Sequence, residues 1–173
     1  NWDTALQTAI SDLEVVQKDA QSNLYYIDYH VENSSKKITI ATTRPETMMG
    51  DTAIAVNPKD KRYLDLVGKK VKIPLVNRSI KIITDHYADP EQGSGAVKIT
   101  PAHDFNDYVV GKRNKLEIIN VLEKDGKINK NGIKDFIGLD RFEARKLILK
   151  KLKENNYLSK TEQIKNKLPY GDR

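Results

Sequence analysis

The feature that most restricts what this chain can become is a succession of short, β-branched and aromatic runs separated by turns and only irregularly by helical stretches. LYYIDYHV (24–31) and KITIATT (37–43) flank the turn Asn33-Ser34-Ser35 and read as a hairpin. Shorter runs of the same character follow at 52–56, 70–75, 80–84, 96–100 and 118–122. Three helices are expected between and after them. One lies between Asn57, a suitable N-cap followed by Pro58, and Gly68. A second begins at Asp104, with Asp107 at capping-box spacing. The third spans roughly 140–154, with Ala144, Leu147, Ile148 and Leu152 on one face. Strands and helices do not alternate regularly, which argues against a doubly wound sheet. The expectation is an α+β domain on a small mixed β-barrel core with peripheral helices.

At 173 residues the chain fits one domain. Residues 1–20 and 160–173 are expected to be connections to a larger body, because residue 1 is Asn and the opening has no clear pattern. The Lys-rich segment 150–167 reads as a helix face followed by a connection. No apolar run approaches membrane-spanning length. Cysteine is absent, which removes disulfides and thiolate metal sites; the three histidines, His30, His86 and His103, lack metal-ligand spacing. The net charge of +6 is spread along the chain and by itself points weakly to a polyanion.

Two segments gather chemistry. In 41–52, a strand end breaks at Pro45 and sets the hydroxyls of Thr42, Thr43 and Thr47 beside the guanidinium of Arg44, with Asp51 close behind. In 93–107, a Gly-Ser-Gly lead-in feeds a strand that stops at Pro101. Lys98, Thr100, His103, Asp104 and Asp107 collect at that strand-to-helix corner. Each segment also has an ordinary explanation. Threonines cap turns, and an aspartate opening a helix is worth about 1 kcal/mol as an N-cap without any ligand. No Gly-Lys-Ser/Thr phosphate loop and no Ser-His-Asp or Cys-His grouping is present.

Together, TTRPETMMGDTAIAVNP (42–58) and GSGAVKITPAHDFNDYVVGKR (93–113) resemble the connective-polypeptide editing domain of class I aminoacyl-tRNA synthetases for valine, isoleucine and leucine. INVLEKDGKIN, GLDRFEARK and the opening NWDTALQTAISDLEV extend the likeness over essentially the whole chain. The wording TTRPET and KITPAHD is closest to the valyl branch. Met48-Met49 replaces a more usual Met-Leu, and Gln92 stands where some valyl members carry Phe.

The resemblance implies a deacylase that clears threonine from tRNA(Val). A hydrophobic pocket rejects an added hydroxyl by only about a hundredfold, as the valine enzymes themselves illustrate, so a second, polar sieve is needed. It also implies the roles. Asp104 holds the substrate ammonium. Thr42, Thr43, Arg44 and Lys98 position the carbonyl and terminal adenosine. Thr47, Asp51, Thr100 and Asp107 line the pocket, and His103 is more structural than catalytic. No metal or cofactor is expected in this domain, ATP belonging to the synthetic site of the full-length protein. The expected partners are the tRNA(Val) 3′ end carrying threonine and the rest of the synthetase chain. The protein is expected to be cytoplasmic and monomeric, without a membrane partner. The competing readings are an isoleucyl or leucyl editing domain and a non-catalytic tRNA-binding module.

Overall fold

The computed structural model describes residues 1–171. Its elements run β1 (Trp2–Asp3), β2 (Thr8–Ala9), β3 (Val15–Val31), β4 (Lys37–Thr42), β5 (Ala53–Val56), β6 (Lys70–Lys72), β7 (Ser79–Thr84), β8 (Ala96–Ile99), α1 (Phe105–Arg113), α2 (Arg141–Glu154) and β9 (Leu158–Gly171). The main sheet has the order β4-β3-β6-β7-β5-β8, with β9 added along β3. It is mixed: β5 and β7 are parallel and the other pairs antiparallel. The two ends of the path, β4 and β8, lie against each other without pairing, so the sheet curls strongly but does not close. The expected barrel is thus an open one. The α+β class and the peripheral helices stand.

Strand β5 is buried at all four positions and separates two cores. Ile54 and Val56 face the larger one, with Ile27, Tyr29, Ile38, Ile40, Met48 and Ile82. Ala53 and Ala55 face a smaller one with Ile99 and Val110, and their small side chains let α1 pack close. Helix α2 is capped by Asp140, whose carboxylate accepts from Phe142 N–H, and it buries Ala144, Ile148 and Leu152. Leu147 is exposed, contrary to expectation. At about 100° per residue it falls beside the stripe those three define.

Two further expectations are corrected. Residues 57–68 form turns and a short 3-10 segment, Leu64–Leu66, instead of an α-helix. Here Asn57 Oδ1 accepts from Lys59 N–H, and the Asp60 carboxylate accepts from both the backbone and the guanidinium of Arg62. Such local side-chain bonds offer the backbone an alternative to the helix ladder. Residues 118–122 are not a strand: only Leu122 bridges to Ile128, while Val121 N–H and Asn120 C=O bond to side chains. In the Lys-rich segment, α2 gives way to β9, which pairs with β3 as a long antiparallel ribbon.

Candidate active site

Sequence chemistry and local folding bring the two segments together. β4 ends at Thr42, whose Oγ1 accepts from Arg44 N–H at 3.0 Å. The six residues Pro45–Gly50 then form a wholly buried 3-10 turn. Its acidic member, Glu46, has no exposed surface and is gripped by the Arg145 guanidinium of α2 through two bonds of 2.8 Å, with Arg44 at 3.7 Å. Arg78, from the β6–β7 turn, donates to Met49 C=O at 2.8 Å and to Asp51 C=O at 2.6 Å, closing the carbonyl end of the same turn. Paired and fully hydrogen-bonded burial of this kind fixes the backbone of the loop.

The second segment meets the first where Gly93 crosses β4. Its φ is +57°, and a side chain there would begin with a Cβ only 2.9 Å from the Ala41 Cβ, so the position calls for glycine. β8 then sends Lys98 toward the turn. Its ammonium donates to Thr47 Oγ1 at 2.9 Å, Asp51 Oδ1 at 3.1 Å and Thr100 Oγ1 at 2.5 Å, with the side chain only 8% exposed. Thr100 donates its proton to Asp51 Oδ1 at 2.6 Å, and Tyr29 OH donates to Asp51 Oδ2, also at 2.6 Å. Thr47 donates to Arg44 C=O at 3.0 Å. Arg44 in turn reaches across to His103 C=O at 2.5 Å.

Asp104 opens α1. Its Oδ1 accepts both Asn106 N–H at 2.8 Å and Asp107 N–H at 3.0 Å, while the residue is exposed. The capping box is not reciprocal, because Asp107 turns back to accept Thr100 N–H at 2.9 Å. Burial pushes the Asp107 carboxyl up to about 6, against the opposing pull of that bond and of Lys98. His103 is driven down to about 4 by burial and by the charges of Arg44 and Lys98, so its ring is neutral near pH 7. Its Nε2 accepts Val121 N–H at 3.0 Å, which commits the lone pair a general base would need.

The structure thus joins Thr47, Asp51, Lys98 and Thr100 in one buried cluster, with Asp107 bonded to its edge and Arg44 tied to His103 above it. Thr42 and Thr43 are half-buried at the end of β4, and Asp104 stands exposed at the helix start. Lys98, expected to face a ligand carbonyl, has all three N–H directions committed to protein oxygens. Sequence reasoning missed Tyr29, Arg78 and Arg145, the residues that brace the cluster. Only Tyr29 carried a signal, as an aromatic residue within the strand run 24–31. Tyr87 was also missed: burial, then Asp107 and Asp104, raise its phenol to about 12.

Among the described residues no group of three or more His, Asp or Glu side chains is arranged to hold a metal ion. What the surface offers is an open carboxylate, next in the chain to the carbonyl that a half-exposed guanidinium grips, while the hydroxyls of Thr47 and Thr100 are buried. That suits a ligand bearing both an ammonium group and a carbonyl or phosphate.

A family model described as the leucyl-tRNA synthetase editing domain matches residues 65–138. The chain is 67% identical over 173 residues to the valine--tRNA ligase of Pelagibacter ubique (strain HTCC1062), covering all of this chain and 20% of that protein. The valine--tRNA ligase of Synechocystis sp. (strain ATCC 27184 / PCC 6803 / Kazusa) is 51% identical, with 100% of this chain and 19% of the relative covered. The chain therefore spans about a fifth of the length of these relatives. Among solved structures, GlLeuRS-CP1 superposes with a TM-score of 0.64 at 14% identity, covering 80% of this chain and 99% of that one. The ternary complex of Agrobacterium radiobacter K84 agnB2 LeuRS with tRNA and LeuAMS gives 0.64 at 20% identity, over 90% and 21%. These two likenesses speak to the fold. The chain is homologous over its whole length to a segment of valine--tRNA ligases, and residues 65–138 of it match the editing-domain family.

Proposed function

We propose that this chain hydrolyses the ester joining threonine to tRNA(Val), as the editing part of a longer valine--tRNA ligase. The observation that carries the reading is the exposed Asp104 carboxylate beside the Arg44 loop and the buried Lys98 cluster, in a chain 67% identical to a valine--tRNA ligase segment. Asp104 holds the α-ammonium through the oxygen its cap does not use. Thr42, Thr43 and Arg44 position the ester carbonyl and terminal ribose. Lys98 acts indirectly, by fixing Thr47 and Thr100, while Asp51 and Asp107 support the pocket wall.

Water attacks the carbonyl carbon, the bond to the ribose oxygen breaks, and that oxygen leaves with a proton, giving threonine and free tRNA. The neighbouring ribose hydroxyl assists. An activated ester needs mainly positioning, worth several powers of ten when the water is held in line. The reaction requires neither metal nor cofactor, and the domain acts as a monomer on the tRNA 3′ end. A polar pocket disfavours valine, which would leave buried groups unpaired.

Incubating the chain with threonyl-tRNA(Val), valyl-tRNA(Val) and uncharged tRNA(Val) tests this. Release of threonine supports a hydrolase, whereas binding of all three without ester loss points to an RNA-binding module.

A further inference from the structure

We propose that Tyr29 is a positioning residue that sets the direction of every proton in the Thr47–Lys98–Thr100 cluster by clamping Asp51; this rests on the hydrolase reading above. Tyr29 lies on β3, has no exposed surface, and its hydroxyl donates to Asp51 Oδ2 at 2.6 Å. Its ring is locked in the larger core, so the direction of that O–H bond is fixed from outside the site.

With Oδ2 occupied, Oδ1 is the Asp51 oxygen left for the site, and both Thr100 and Lys98 use it. Lys98 spends its remaining N–H bonds on the Thr100 and Thr47 oxygens, and Thr47 gives its proton to Arg44 C=O. Every N–H and O–H of the cluster is then directed at a protein acceptor. Each threonine hydroxyl keeps one lone pair. The buried cluster accordingly has acceptor capacity left and no uncommitted donor.

Without the Tyr29 hydroxyl, Asp51 Oδ2 becomes a buried acceptor with no partner. The cheapest repair is for Thr100 or Lys98 to swing to Oδ2, since an unsatisfied buried charge is costly. Either swing turns a threonine hydroxyl toward a different acceptor and spoils the pattern. A residue that only filled the core would be replaced by phenylalanine without loss.

Tyr29→Phe keeps the ring and removes the hydroxyl. In this chain, and in the full-length synthetase that contains it, the expected result is a fall in kcat for threonyl-tRNA(Val) hydrolysis of about tenfold or more, the scale of a hydrogen bond to a buried charge. KM should change by less than about twofold, because the exposed binding groups are untouched. In parallel, the side-chain ammonium resonance of ¹⁵N-labelled Lys98 should shift or broaden in the variant. Unchanged kcat together with an unchanged Lys98 resonance overturns the proposal. If the unaltered chain hydrolyses no threonyl ester, the functional reading fails, and the Lys98 resonance still decides the positioning role. A moved resonance then supports it and an unmoved one overturns it.

Discussion

One substitution can separate the helix cap that Asp104 makes from the binding role proposed for its charge. Its Oδ1 caps α1 with bonds of 2.8 and 3.0 Å to Asn106 and Asp107, and its charge is assigned to the substrate ammonium. Asparagine caps a helix about as well as aspartate, while alanine in its place costs about 1 kcal/mol. Losing the charge beside the helix N-terminus costs a further few tenths, about 0.3 kcal/mol at an exposed site. Asp104→Asn should therefore unfold within about 0.5 kcal/mol of the unaltered chain, and Asp104→Ala about 1 to 1.5 kcal/mol below it. Hydrolysis should not follow that order. A charge-assisted bond to an ammonium contributes about 1.5–3 kcal/mol, so both variants should be slower by roughly ten- to a hundredfold. Urea unfolding and single-turnover deacylation of threonyl-tRNA(Val) give the two readouts. If Asp104→Asn hydrolyses at the original rate and only the alanine variant is slow, Asp104 is a helix cap and the assignment of the ammonium to it is refuted.

Replacing Gly50 by alanine should lower stability by about 1–3 kcal/mol, because its Cβ would stand 2.7 Å from Ile119 C=O and 3.3 Å from the Thr100 methyl; the loss should appear in thermal unfolding together with slower hydrolysis. Arg145→Ala strands the fully buried Glu46 carboxylate and should cost about 3 kcal/mol, the lower end for a broken buried pair since Arg44 still stands near it; Arg145→Ala with Glu46→Gln should recover part of that in a denaturant titration. Acid should reveal two opposed contributions. The His103 pKa of about 4 lies below its ordinary value, so its share of stability is present above about pH 6.5 and is lost as the pH falls toward 4. The Asp107 pKa of about 6 is raised, so its share is present below the ordinary carboxylate range and is lost as the pH rises through 6. Asp107→Asn should consequently make unfolding midpoints fall more steeply between pH 6.5 and 4 than in the unaltered chain, and an equal slope would contradict the assignment.

What could be read from the sequence followed local chemistry. The β-branched and aromatic runs 24–31 and 37–43 flanking Asn33-Ser34-Ser35 gave the hairpin, and Asp104 and Asp140 marked both α-helix starts because their caps depend on neighbouring residues alone. The first half of β3 and all of β9 escaped. In β9 the partly buried face carries Leu158, Ile164 and Leu168 among polar residues, too sparse an apolar alternation within a Lys-rich run to stand out, and the ribbon is held by backbone pairing. Residues 57–68 misled because Asn57 and Pro58 are good helix starters, yet Asp60 and Arg62 capture the backbone first. At the site, the motif residues were visible as a group, and Thr47, Asp51, Lys98 and Thr100 do converge. Their supports were not visible: Arg78 and Arg145 are single arginines far along the chain, joined to the turn only by tertiary folding.

The central claim is best tested by the ratio of hydrolysis rates for threonyl-tRNA(Val) and valyl-tRNA(Val), measured with this chain and with the full-length synthetase. A site that reads a hydroxyl through buried polar groups should favour the threonyl ester by at least about a hundredfold. Equal rates for the two esters, or faster loss of valine, would contradict the account.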